Sequence, residues 1–277
     1  MAAQLREILL RTRRHLLLAR PGEQPSRLAG EGLDFRELRE YTLDDDIRHL
    51  NWKSMARIRK PLVNRYNESR QISVGLVYLN SGSLAIGAPV SKKDLAVELL
   101  TALSYAAARS GERVSTWFLG ADECAYYPPG RRQGDLAERN HALATALEAK
   151  GEPADSEQLL RELGPRLRRR SVLFLLGDFM KPLDLSALAS RHEIHALILR
   201  DRLDEELPGG SFLLEDTGSL RRKEAVIDPA AREHYRRLVR EQDAALFEHF
   251  RRHGIGWEKF GTSQEPIARL AQYLRRP

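Results

Sequence analysis

An α/β fold with a mostly parallel sheet flanked by helices is what this sequence predicts, on three observations. Short apolar runs recur at 72–79 (ISVGLVYL), 113–119 (RVSTWFL), 171–179 (SVLFLLGDF) and 193–199 (EIHALIL), each bounded by polar residues. Runs of that length and continuity suit strands buried on two faces. Segments with helical apolar spacing stand between them, and strand–helix alternation makes a parallel sheet with crossover connections the economical architecture. The apolar fraction, 42% of 277 residues, supplies a sizeable core.

The elements follow in order. Residues 1–20 place Leu5, Ile8, Leu9, Leu16 and Leu17 at helical spacing, with Arg6, Arg11, Arg13, Arg14 and Arg20 on the other side, which predicts an amphipathic helix. Charges interrupt it too often for a signal peptide or a membrane span. Residues 21–33 carry Pro and Gly and read as loop, and residues 34–70 form a charged arm without clean periodicity. The core domain is then 71–277. Leu95, Leu99, Leu100, Leu103 and Ala107 mark a helix over 92–109 that Gly111 ends. CAYYPP at 124–129 reads as an edge strand, since Pro cannot donate to a ladder. Helices are expected near 134–149, 155–164 and 183–190. Two strands around Asp216-Thr217-Gly218, a long helix over 229–253, a strand at 255–260 and a helix at 264–275 form a C-terminal helix–strand–helix extension.

Charge and cysteine usage exclude some classes. Lys and Arg number 45 against 39 Asp and Glu, a net +6. That surplus is modest, and the arginines at 161–170 have no aromatics interleaved as single-strand binders usually require. The one cysteine, Cys124, permits neither an internal disulfide nor a thiolate zinc site, so a cytoplasmic location is expected.

Between Gly30 and Arg57, acidic and basic residues alternate around Phe35, Tyr41 and Trp52. Such a segment suits an arm held by Arg–carboxylate pairs, which are directional enough to fix a loop. The ordered series Gly30, Gly32, Asp34, Phe35, Arg39, Tyr41, Asp45, Asp46, Arg48, Trp52, Lys53, Ala56 and Arg57 resembles, without gaps, the signature of the domain of unknown function 58 (DUF58) family. It departs at Asp44, where the family has Gly, and at Asn51, where it has Asp. Asp201, Glu205, Leu207 and Pro208 resemble a second family segment, and the similarity runs over about residues 28–276.

The resemblance implies a von Willebrand factor A-like, or Rossmann-like, core. It also implies a place beside a MoxR-type AAA+ ATPase that matures or remodels protein complexes. The metal-ion-dependent adhesion site of von Willebrand factor A domains uses D-x-S-x-S after the first strand, a Thr from a second loop and an Asp from a third. Here the motif reads Leu79-Asn80-Ser81-Gly82-Ser83, with Asp178 in the third-loop position and no matching Thr in 129–133. One carboxylate and two hydroxyls make a poor Mg²⁺ trap, so the motif is read as degenerate and no cofactor is expected. The alternative is a pocket in which Asn80, Ser81, Ser83 and Asp178 hydrogen-bond one another.

Other candidates are weaker. Asn80-Ser81-Gly82-Ser83 is not a nucleophile elbow. His249 and His253 share a helix face without the intervening Glu of a metalloprotease. Cys124 is read as a packing residue. The expected function is therefore a non-catalytic protein-interaction module. Its partner-binding candidates are Arg39, Tyr41, Asp45, Asp46, Arg48, Trp52, Lys53 and Arg57. The alternatives are nucleic-acid binding through basic helices at 4–20 and 161–170 and, more weakly, metal-dependent hydrolysis.

Overall fold

The computed structural model describes residues 34–42, 51, 60–67, 73–129, 135–215 and 222–275. The chain divides into two units, one spanning His15–Gln71 and the other carrying Ile72–Pro277. The expected helix over 1–20 and the 21–33 loop lie outside the described residues.

In the smaller unit, β1 (Asp34–Glu40) pairs antiparallel with β2 (Leu62–Asn67), and the register shifts between Phe35 and Glu37. Tyr41 N–H donates to the Pro61 carbonyl at 2.9 Å and Asn51 N–H to that of Leu62 at 2.8 Å, which prolongs the pairing. The arm expected to lack regular structure therefore contains a two-stranded ribbon. An added residue in a bulge breaks the period-2 pattern from which a strand is read.

The larger unit is built on six strands in the order β10-β7-β6-β3-β4-β5. They are β3 (Ser73–Leu79), β4 (Arg113–Leu119), β5 (Cys124–Tyr127), β6 (Ser171–Gly177), β7 (Glu193–Arg200) and β10 (Gly256–Gly261). All pair in parallel except β5, which runs antiparallel along the edge, the position the prolines that follow it favour. This is an α/β architecture consistent with a Rossmann-like or von Willebrand factor A-like fold. The chain starts in β3, moves to β4 and β5 on one side, then crosses to β6, β7 and β10 on the other. The order reverses between β3 and β6, and open α/β sheets bind ligands at the carboxyl ends beside such a reversal.

Helix α1 (Lys92–Arg109) starts at a Ser91–Asp94 capping box and buries Leu95, Leu99, Leu100 and Leu103. It packs against α2 (Leu136–Ala146) and, at the C-terminus, α7 (Pro266–Tyr273). The opposite core layer joins Val77, Leu79, Trp117 and Leu175 to Leu159 and Leu163 of α3 (Ser156–Leu163). The short α4 (Ser186–Ala189) adds Leu188, and α6 (Pro229–Arg252) adds Leu246 and Phe250. Gly75 is needed within this second layer, because a Cβ there would stand 2.5 Å from Leu173 Cδ2 and 3.2 Å from Trp117. Two short elements complete the unit: α5 (Arg202–Glu205), and a separate ribbon of β8 (Gly210–Glu215) with β9 (Arg222–Ile227).

Two expectations change. The C-terminal segment is no appendage, since β10 joins the main sheet in register with β7. The arginines at 161–170 do not share a helix either. Helix α3 ends at Leu163 and Gly164-Pro165 follows, so Arg166, Arg168, Arg169 and Arg170 stand on the connection to β6. Arg166 returns to Glu162 at 3.0 Å and lies over the Tyr126 ring at 4.8 Å.

Two histidines accept backbone N–H groups. His192, buried ahead of β7, receives the Ser171 N–H on Nδ1 at 3.3 Å, and His249 receives the Leu185 N–H on Nε2 at 3.1 Å. Burial, followed by the Arg191 and Arg170 charges, holds the His192 pKa below its ordinary value of 6.5. With the folded ring kept neutral, the unfolded chain binds the proton first. This part of the stability is intact above about pH 6.5 and falls as pH drops through that value toward the folded pKa. Denaturant unfolding followed downward from neutral pH is expected to lose free energy progressively. His192→Gln should remove part of that slope, and an unchanged slope in the variant would count against the assignment.

Candidate functional site at the carboxyl edge of the sheet

The loop after β3 delivers Asn80, Ser81 and Ser83 to the reversal point, and the end of β6 delivers Asp178. Asn80 N–H donates to the Leu119 carbonyl at 2.6 Å and Gly82 N–H to that of Gly151 at 2.8 Å, so the loop is fixed by its backbone before any side chain acts. Ser81 Oγ and Ser83 Oγ lie 2.8 Å apart, and Ser83 Oγ donates to Asp178 Oδ2. Phe179, next in sequence, has φ of 51°, the one non-glycine residue in the left-handed region among those described. Its ring packs edge-on to Phe250 at 5.9 Å. A packed core that holds such a backbone turns the chain sharply after Asp178.

Three of the expected residues therefore meet. The fourth does not: Asn80 is buried but sends Nδ2 to the Glu148 carbonyl at 2.9 Å, binding the loop after α2 instead of the serines. Leu79, in the position of the motif's first Asp, is part of the hydrophobic core layer. A carboxylate there would be desolvated among aliphatic side chains. Of residues 129–133, where the second-loop Thr was sought, 130–133 lie outside the described residues.

Lys92 was not foreseen, and it organises the site. At the first position of α1 it is completely buried. Its Nζ donates to Asp178 Oδ2 at 3.2 Å and to Asp204 Oδ1 at 2.8 Å. A helix N-terminus repels a cation, so these two carboxylates must supply the stabilisation. Asp204 has a second task. Its Oδ2 accepts the Asp201 N–H at 2.8 Å, and Asp201 in turn accepts from Leu203 N–H at 2.9 Å, which caps α5. Burial, the largest single influence on Asp201, works against ionisation. The Thr262 hydroxyl (2.6 Å), the Leu203 and Arg202 N–H groups and the Lys92 charge together outweigh it, and its pKa falls below the ordinary carboxylate value.

The network continues beside it. Arg200 donates to the Asp178 carbonyl and to Asp243 Oδ1, the latter at 2.9 Å. Lys259 donates to Asp243 Oδ2 at 2.6 Å and to Glu205 at 3.0 Å. In the acidic segment after β7, then, Asp204 reaches the site and Glu205 stays on its rim.

Mg²⁺ needs oxygen donors at roughly 2.0–2.1 Å in near-octahedral array. Here Ser83 gives its proton to the Asp178 oxygen that also receives Lys92. Among the described residues, no group of three or more His, Cys, Asp and Glu could hold a metal. The residues present do not fit the ion.

Residues 37–245 match the family profile described as "Protein of unknown function DUF58". The chain belongs to the DUF58 family. This DUF58 chain is 28% identical over 282 residues to an uncharacterized protein of Mycobacterium bovis, a match covering 99% of this chain and 89% of that protein. The same values hold for an uncharacterized protein of Mycobacterium tuberculosis. An uncharacterized protein of Mycobacterium avium is 27% identical over 138 residues, 48% of this chain and 74% of that protein.

Of the family-signature residues, β1 includes Arg39, and Tyr41 follows it half-exposed. Asp45, Asp46, Arg48, Trp52, Lys53 and Arg57 lie outside the described residues. In the described part of the arm, Lys60 and Glu40 form an exposed ion pair 2.7 Å apart.

Other candidates find ordinary partners. His195, on β7, bonds Tyr273 OH at 2.7 Å and Glu193 at 3.0 Å. The His249 and His253 rings stand 4.7 Å apart, with His249 committed to Leu185. Cys124 is exposed instead of packed, and donates to Glu162 at 3.1 Å. Burial, then that bond and the Glu162 charge, push its thiol up to about 11, so the nucleophilic thiolate is scarce at neutral pH. No helix among the described residues is long and apolar enough to cross a membrane.

Asp243 neutralises two cations at once, so Asp243→Ala leaves Arg200 and Lys259 short of a counter-charge. A loss of about 3–5 kcal/mol is expected, the usual cost of orphaning a buried charge. Glu248→Ala, which removes an exposed partner of Arg251, should stay within ~0.5 kcal/mol. Urea denaturation of the two variants checks this; equal losses would mean the network is not coupled as described.

Proposed function

We propose that this chain is a protein-interaction module with a von Willebrand factor A-like core, acting as an adaptor for a MoxR-type AAA+ ATPase in the maturation or remodelling of a protein complex. The ATPase supplies the energy, and this chain supplies contact surfaces, the signature arm and the carboxyl edge of the sheet. The observation that carries the reading is how the groups at that edge are spent. Ser83 donates to Asp178, which Lys92 also engages, and Lys92 is tied in turn to Asp204. A serine nucleophile needs a base free to take its proton. Here the carboxylate beside Ser83 is engaged by a buried cation, an arrangement suited to holding loops in place. The association with the ATPase rests on membership in the family. Charged arms give an interface specificity and rate more than affinity, which fits a transient partner.

The test is co-purification of the full chain with the MoxR-type ATPase encoded in the same genome, with and without nucleotide. Enrichment over an unrelated AAA+ protein is expected, weakened at least several-fold when Arg48 and Arg57 are both changed to Ala. No enrichment in any nucleotide state rejects the adaptor reading.

A further inference from the structure

We propose that Arg202, Arg232 and Arg236, gathered on the single carboxylate of Glu206, form a docking site for an acidic segment of a partner protein, with Glu206 holding the place that the partner's carboxylate takes. The proposal rests on the adaptor reading for the class of ligand, a protein. The arginine cluster itself is a property of this chain.

The cluster is built on two elements. Glu206 closes α5, its N–H donating to the Arg202 carbonyl at 2.8 Å, and Arg232 and Arg236 stand one turn apart on α6. Arg232 donates to Glu206 Oε1 at 2.8 Å, Arg236 donates to the same oxygen, and Arg202 stands 3.8 Å from Oε2. The Arg236 hydrogen bond and charge, joined by the charges of Arg202 and Arg232, hold the Glu206 carboxyl below its ordinary value, so it is an anion at neutral pH. Among the described residues, Glu233, 3.7 Å from Arg236, is the other carboxylate tied to these guanidiniums. Three cations against two carboxylates leave a positive charge unanswered at this point of the surface.

Three observations separate the cluster from a purely structural bridge. Other bonds already hold α5 to α6: the Tyr235 hydroxyl lies 3.4 and 3.1 Å from the Leu203 and Asp204 carbonyls, and Arg232 Nε donates to the Leu207 carbonyl at 2.9 Å. Arg232 is thereby kept in position whether or not Glu206 is engaged. The Arg202 side chain is 87% exposed, so its donors face solvent. A guanidinium carries five N–H groups in a fork that matches a carboxylate, and the three arginines keep donors for a second one. Leu203, next to Arg202 and 44% exposed, adds an apolar contact for a peptide side chain. Exposed ion pairs contribute little, so exchanging Glu206 for an incoming carboxylate costs little. The same surroundings disfavour a nucleic acid. Glu205 and Glu233 interrupt the arginines, where a chain of phosphates would meet them in succession, and a leucine offers no ring for a base to stack on.

The experiment uses the full-length chain and a fluorescein-labelled peptide, Leu-Asp-Glu-Glu-Leu, followed by fluorescence anisotropy, with Leu-Asn-Gln-Gln-Leu as the uncharged control. The unaltered chain is expected to bind the acidic peptide weakly and the control not at all. Glu206→Gln, which removes the internal competitor, should tighten binding several-fold. Arg232→Ala/Arg236→Ala should weaken it about tenfold or more, the cost of losing charge-assisted hydrogen bonds. Arg251→Ala/Arg252→Ala, the same loss of charge at the far end of α6, should leave it unchanged. If the first alanine pair fails to fold, Arg232→Lys/Arg236→Lys keeps the charge without the fork and should still weaken binding several-fold. Equal affinity in the unaltered and Glu206→Gln chains, or none in either, overturns the proposal. So does equal weakening by the two alanine pairs. A single-stranded oligonucleotide is the rival probe: if it binds more tightly than the peptide and is lost with Arg232→Ala/Arg236→Ala, the cluster serves nucleic acid and the proposal fails. No ATPase is present in this assay, so peptide binding without co-purification rejects the ATPase partnership alone, and co-purification without peptide binding rejects the arginine site alone.

Discussion

Lys92 brings a charge to a place shut off from the surface, at the end of a helix that repels it, and the carboxyl edge of the sheet is arranged around that fact. Asp178 can meet it only if the chain turns sharply after β6, which the left-handed Phe179 and its contact with Phe250 achieve. Asp204 can meet it only if α5 starts directly after β7, which the Asp201–Asp204 capping box achieves. Arg200 then holds the Asp178 carbonyl from below, and Asp243 links Arg200 to Lys259, so α6 and β10 join the same lattice of charges. Each member has its counter-charge in another segment of the chain. The cluster is therefore a long-range constraint, one that packing of aliphatic side chains alone would not impose.

Buried ion pairs add little net stability, because desolvation consumes most of the Coulombic gain, but they penalise any arrangement that separates them. That asymmetry suits a surface formed by loops. The hydrophobic layer of Val77, Leu79, Leu175 and Phe250 fixes the sheet and helices, while the charges decide which loop conformation lies above it. A different loop path would strand Lys92 or Arg200 without a partner, at a cost larger than the interactions available on the outside.

Local pattern made most of the fold legible. Continuous apolar runs marked β3, β4, β6 and β7 nearly to the residue, and the prolines after Tyr127 marked β5 as an edge. The misreadings have local causes too. The bulge between Phe35 and Glu37 hid a strand in a charged segment. Helix α5 is a single turn, too short for periodicity to show. The partner of β10 was out of reach because a strand's neighbours are set by crossover connections, so it read as an appendage although it completes the sheet.

The site divides along the same line. Ser81, Ser83 and Asp178 were readable because they follow strand ends, where an α/β sheet concentrates its polar groups. Lys92 was not: in the sequence it is one of two adjacent lysines after a serine cap, and Lys93 is the ordinary one, half-buried and reaching the Thr145 carbonyl. What separates the pair is orientation on the first turn of α1, which turns Lys92 toward the sheet and Lys93 away from it. A cap residue fixes where a helix starts and hence which face each following residue occupies. Ser91 thus determines which lysine is buried, and through it which carboxylates the carboxyl edge must supply. Its capping box with Asp94, an ordinary local motif, sets the register on which the long-range cluster depends.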